Sequence, residues 1–225
     1  MIRLTTTLFT TALALTCSSA SFAFEMPKLS DDDLTDLQKG EAIISVWKDR
    51  DRKHKPTISK GGIDIMVPVE TIFAIMLDCD RMSEISSDIR ACDVLETAPD
   101  GSWDIRKQKF AVSPLLPKIT STFKTVYTRS KNGGHVMEIE KISGDLKVQE
   151  GRWDIISLDP NNSRVIYQAA IKPSLPVPAK IIRKQVTIGI PEILRNLRDV
   201  AEADYTAEHG NALQTASMPK KNDDM

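Results

Sequence analysis

The residues of this 225-residue chain best suited to acid and base chemistry are Glu138, Glu140, Glu150 and His135, the last following the turn Asn132-Gly133-Gly134. In "HVMEIEKI" the two glutamates stand two positions apart, and residues so spaced on a strand share one face. Carboxylates that alternate in this way form a solvated face unless a second titratable group converges on them. Only three histidines exist, His54, His135 and His209, and none is near Cys79 or Cys92 in sequence. Neither cysteine therefore reads as a metal ligand or an activated nucleophile. No serine elbow, metal-binding histidine pair or phosphate-cradling glycine loop occurs. No catalytic residue, metal or cofactor is assigned, and a binding protein is the first reading, ahead of an enzyme.

The cysteines report on compartment instead. Arg3 is followed by an uncharged run over residues 4–15 and by small residues ending in Ser21-Phe22-Ala23, the form of a secretory signal cut before Phe24. The run is too short to span a bilayer, which takes roughly 20 helical residues. Thr16 stands before Cys17 where a lipoprotein signal would have a small residue. The expected location is secreted, in the periplasm. There the remaining pair Cys79 and Cys92 reads most simply as a disulfide, with two buried thiols as the alternative. The length suits one domain, expected to be monomeric. With 30 Lys+Arg against 31 Asp+Glu, a formal net charge of −1, there is no basic surplus to attract nucleic acid.

The elements that would position a site follow from periodicity. Ser30 before Asp31, Asp32 and Asp33 predicts a helix N-terminus, and Gly40 its end; a first strand follows at 42–48. "KDRDRKHKPT" is expected to be a charged, solvated loop, with contact between its five cations from Lys48 to Lys55 and anionic lipid headgroups as the alternative. Ile63, Ile65 and Val67 alternate as a strand from Gly62, and Val69, Ile72, Phe73, Met76 and Leu77 then share one helical face after Pro68. A second short helix is expected at 80–86. Strands are expected at 89–96, 103–112, 119–128, 135–142, 148–158 and 164–172, with turns at Pro99-Asp100-Gly101, Asn132-Gly133-Gly134, Gly144-Asp145 and 159–162. A long C-terminal helix carries the stripe Ile182, Val186, Ile190, Ile193, Leu197, Val200 and Ala201. The class is α+β, a curved antiparallel sheet of six or seven strands covered on one face by that helix. The tail at 207–225 has little to bury and is expected to be disordered. Domain limits are thus 1–23 for the signal, 24–56 for the first helix and strand, and 57–206 for the main domain.

The run "IDIMVPVETIFAIMLDCDRMSEISSDIRACDVLE" resembles the opening of the polyketide cyclase and START-like lipid-transfer superfamily, which includes the coenzyme Q-binding proteins. Val67-Pro68, the helical positions 72–78 and Cys92-Asp93-Val94-Leu95 carry the likeness. Gly151-Arg152-Trp153-Asp154-Ile155, Arg164-Val165-Ile166-Tyr167 and the proline-led helix from Pro176 match later elements of the same superfamily. The resemblance covers roughly residues 60–205 and implies the helix-grip fold, a curved sheet wrapped round the C-terminal helix with an apolar cavity between them.

On that implication Phe110, Phe123, Met137, Ile155, Ala169, Ile182, Val186 and Ile190 are candidate cavity walls, with Gly151, Ser121 and Ala170 leaving room. A solid core is the alternative. "AVSPLLP" and "PSLPVP" place Leu115, Leu116, Leu175 and Val177 in apolar loops, either a rim that touches membranes transiently or a closed end of the core. Gly189 and Pro191 break the long helix, as bending or gating would require. The expected function is carriage of an apolar small molecule such as a lipid or quinone. A cyclase or hydrolase using the same cavity and a protein-interaction domain are the alternatives.

Overall fold

The computed structural model describes residues 29–111 and 117–216. The elements run α1 (Asp31–Gln38), β1 (Ile43–Lys48), β2 (Thr57–Ile65), α2 (Val69–Leu77), α3 (Met82–Ile85), β3 (Ile89–Thr97), β4 (Trp103–Phe110), β5 (Ile119–Arg129), β6 (His135–Gly144), β7 (Leu146–Asp159), β8 (Asn162–Pro173) and α4 (Ala179–Ala216). The eight strands pair antiparallel in one sheet of order β1-β2-β8-β7-β6-β5-β4-β3, so the first strand joins the sheet as an edge rather than standing apart. Register shifts within β3–β4 and at Thr122/Phe123 add local twist and help the sheet curl. Helices α2, α3 and α4 lie in its hollow, the helix-grip arrangement.

Local chemistry explains the boundaries. Ser30 and Asp33 cap the start of α1 reciprocally, and Gly40 ends it at φ +77°, a conformation that favours glycine. Strand β2 begins at Thr57, ahead of the alternation that starts at Gly62, because Gly61 continues the ladder without a side chain. A Cβ there would stand 3.3 Å from Leu194 and 3.4 Å from Ile190, so the missing side chain lets α4 lie directly on the strand. Leu194, absent from the expected stripe, is fully buried at this contact, and Ile63, Ile65, Val165, Leu197 and Ala201 complete the seam. Helix α4 runs past the end of its apolar stripe near Tyr205 to Ala216, since its further residues are mostly adequate helix formers that prolong an existing helix.

Cys79 and Cys92 are joined with their Cα atoms 5.3 Å apart, which fastens the α2–α3 connection to the edge strand β3. Closing this short loop contributes about 3 kcal/mol on the chain-entropy argument. Reduction, or Cys79→Ser with Cys92→Ser, is therefore expected to lower stability by that order in a denaturant titration. Two thiols freely alkylated in protein from its native compartment would contradict the pairing.

Candidate functional site

The hollow face of the sheet can be read row by row from its register. At the lower end, near the start of α2, Ile155, Val165 and Ile63 stand side by side, followed by Met137, Trp153, Tyr167 and Gly61. These residues join α2 and the second half of α4 in one continuous core. Met137 and Ile155, expected as cavity walls, lie here among packed neighbours. Burial pushes the Tyr167 hydroxyl up to about 12, opposed by its bond to Ser59.

Above this, toward the start of α4, the face changes character. Thr125, Ile139, Gly151, Ala169 and Ser59 form one row; Arg106, Phe123 and Lys141 share the row above it on β4, β5 and β6; Gln108, Ser121 and Gln149 the next. Phe123 is buried yet stands apart from the continuous core, and Phe110 is half-buried at the top of β4. A Cβ on Gly151 would meet Ile139 at 3.5 Å and the Gln168 carbonyl at 3.7 Å, ordinary contacts, so this position has room.

Helix α4 crosses this face in two unlike halves. Pro191 lies inside it and cannot donate to the carbonyl one turn earlier, while a Cβ at Gly189 would meet nothing within 4 Å. Beyond the proline the helix is tied to its surroundings. Ser87 reaches Glu192, Asn196 donates to the Ile85 carbonyl at 3.1 Å, and Arg198 donates to the Gly40 carbonyl at 2.7 Å. Glu202 accepts from the Met66 amide, Arg81 pairs with Asp204, and Tyr205 meets Asn161. Among the described residues, no side chain of α4 before Pro191 makes such a bond. Ile182 and Val186 are only half-buried, and Ile190 is the first fully seated residue of the stripe. Arg183 and Thr187 lie toward the helical side that carries Ile190 and Leu194, yet both are exposed.

A charged cluster sits at the edge of the same hollow. Arg106 is 3% and Asp104 5% exposed. The guanidinium donates to Asp104 Oδ2 at 2.8 Å, to the Met76 and Leu77 carbonyls at 3.0 and 2.9 Å, and to the Tyr127 hydroxyl at 2.9 Å. Tyr127 donates in turn to Asp104 Oδ2 at 2.6 Å, and its pKa is raised well above the ordinary value, first by burial. Arg106 thereby satisfies the last carbonyls of α2 at the negative end of its dipole. Asp104 Oδ1 is left buried without a partner. The strand "WDIRKQKF" hides this cluster from periodicity reasoning, because both of its alternating sets contain charges. The only hint is that one set pairs an acid with a base and the other carries only lysines.

The carboxylates first considered for catalysis lie elsewhere. Glu138 bonds Arg152, and Glu150 takes a two-pronged bond from Arg52, on the outer face of the sheet. His135 stacks on Phe73 with centroids 3.8 Å apart and meets Glu70 at 2.9 Å, at the lower end. Leu115 and Leu116 fall outside the described residues. Leu175 is exposed and Val177 half-buried, and Ile181 and Ile188, at 40% and 54% exposure, extend the apolar surface along the first half of α4. A separate open groove of about 540 Å³ lies at the other end of the fold, between Leu37–Gly40, Asp64–Met66 and Arg198–Glu202; there Arg198 pairs with Asp199 and donates to the Gly40 carbonyl, and Glu202 accepts from the Met66 amide.

Comparison with known proteins places this geometry. Human StAR-related lipid transfer protein 5 shares 7% identity at a TM-score of 0.64, over 73% of this chain and 84% of that one. Human STARD10 shares 12% at 0.61, over 86% and 90%. The Zhui aromatase/cyclase from Streptomyces sp. R1128 shares 10% at 0.54, over 64% and 93%. At such identities the likeness establishes the fold. No curated protein sequence matches the chain. Residues 65–198, more than half of the sequence, match the family described as polyketide cyclase / dehydrase and lipid transport, and with the eight-stranded helix-grip around α4 this makes the chain a member of that family.

Proposed function

We propose that the protein is an exported carrier that holds an apolar small molecule, a lipid, quinone or similar, between the upper hollow face and the first half of α4. The observation that carries this reading is the unequal anchoring of α4: its hydrogen bonds and ion pairs to other elements all lie beyond Pro191 among the described residues. A helix held at one half only, with a glycine and a proline at the junction, can lift the free half to admit a ligand. Gly151 beneath it, where a Cβ would meet only ordinary contacts, leaves room for a ligand on the row above the packed lower core. The rival enzyme reading draws less support from this chain, because Asp104, Arg106 and Tyr127 bond one another and the end of α2 rather than converging on open space.

The exposed Leu175, Ile181 and Ile188 lie beside exposed Lys180, Arg183 and Lys184, a combination suited to transient docking on an anionic bilayer surface. Among the described residues no helix is long and apolar enough to cross a membrane. Transfer of a fluorescent apolar probe between anionic vesicles tests both parts. Wild type is expected to accelerate transfer. Ile181→Ser with Ile188→Ser is expected to weaken vesicle binding and slow transfer with little change in melting temperature. No acceleration by wild type would refute the carrier role, and a stability loss of several kcal/mol, the range for truncating buried aliphatic side chains, would refute the docking surface.

A further inference from the structure

Resting on the carrier role just proposed, we infer that the bound molecule presents an uncharged group able both to donate and to accept hydrogen bonds, such as a hydroxyl or primary amide, to a belt formed by Gln108, Ser121 and Gln149. Gln108 on β4 stands directly opposite Ser121 on β5. Ser121 is fully buried, and its hydroxyl donates to the Gln149 side-chain carbonyl on β7. The belt thus runs across the upper hollow face on three strands, continued at one end by Cys92, whose sulfur is 3.5 Å from the Gln108 amide nitrogen. A core built only for packing would place apolar side chains at this level, as it does lower down with Met137, Ile155 and Val165.

The belt's own bonds leave capacity over. Ser121 occupies the Gln149 carbonyl but not its NH2 group, and the Gln108 nitrogen has only a weak sulfur acceptor, with its carbonyl oxygen free to accept. A donor and an acceptor therefore remain on either side of the serine. Both amide groups are open to a partner, and a ligand that accepts from one and donates to the other satisfies both at once. Charge points the same way. Asp104, on the same strand and the same face, keeps a buried oxygen without a partner, and the nearby Arg106 charge is engaged by Asp104 and the α2 carbonyls. An anionic head in this hollow would face that carboxylate rather than an uncommitted guanidinium. Lys141, opposite Phe123 one row below the belt, is the cation that could reverse the preference.

The test titrates wild type, Gln108→Leu and Gln149→Leu with a neutral apolar dye, displaced by a long-chain primary amide, the alcohol and the carboxylate of matched chain length. Wild type is expected to bind the amide and the alcohol at least about tenfold more tightly than the carboxylate, the size of one well-placed buried hydrogen bond. Both leucine variants are expected to keep dye binding and to lose most of that gap. A carboxylate bound as well as or better than the alcohol would overturn the inference and give the head group to Lys141. An unchanged gap in both variants would overturn it as well. Failure of wild type to bind the dye at all would instead remove the carrier role on which it stands.

Discussion

Replacement of Arg106 by methionine is expected to destabilise the fold by about 3–5 kcal/mol, the range for removing one partner of a buried ion pair. The loss has two sources. Asp104, buried and bonded to Arg106, would remain as an uncompensated charge, and the Met76 and Leu77 carbonyls at the end of α2 would lose their donor. Methionine has nearly the same reach and keeps most of the apolar stem, so packing loss is small. Adding Asp104→Asn to Arg106→Met should recover a large part of the stability, because it removes the stranded charge while leaving an acceptor for Tyr127. Denaturant titration of the single and double variants checks both statements. A single variant within about 1 kcal/mol of wild type would mean that the cluster is hydrated and does not anchor α2.

The second large effect is kinetic. Gly189→Ala with Pro191→Ala should make α4 straighter and intrinsically more favourable, by about 1 kcal/mol for the glycine and up to about 3 for the proline. The methyl group at Gly189 has free space, whereas Pro191 is buried and its loss removes some contact, which reduces the net gain. The double variant should fold, keep or raise its melting temperature, and exchange an apolar fluorescent ligand at least about tenfold more slowly, since each 1.4 kcal/mol favouring the closed helix lowers the open population tenfold. Lower stability with unchanged exchange would leave the bend as a fit to the curved sheet and nothing more.

Element order was legible because most strands are bounded by turn residues and the starts of α1, α2 and α4 by a cap or a proline. Ser30, Pro68 and Gly40 act through local geometry, which needs no knowledge of the rest of the chain. Faces were not legible in the same way. On β4 both alternating sets carry charge, and only pairing with β3 and β5 decides that Asp104, Arg106 and Gln108 turn inward. Leu194 escaped for a related reason: its burial depends on Gly61, which lies far away in sequence and brings the strand close enough to touch it. The break at Gly189 and Pro191 could be read directly, but the contrast in anchoring on its two sides is a tertiary fact.

The central claim, that the upper hollow face holds an apolar molecule, is tested most directly by what the protein carries when purified without detergent. Organic extraction and mass spectrometry of the wild type should yield a bound apolar compound. In Gly151→Phe the new ring would project from β7 over Ile139 into the proposed ligand space, starting from a position where a Cβ meets only ordinary contacts. That variant should fold with a similar melting temperature and come away empty. A wild type that carries nothing, and that binds an apolar dye no better than a folded Gly151→Phe variant, would show the face to be closed core and would contradict the account.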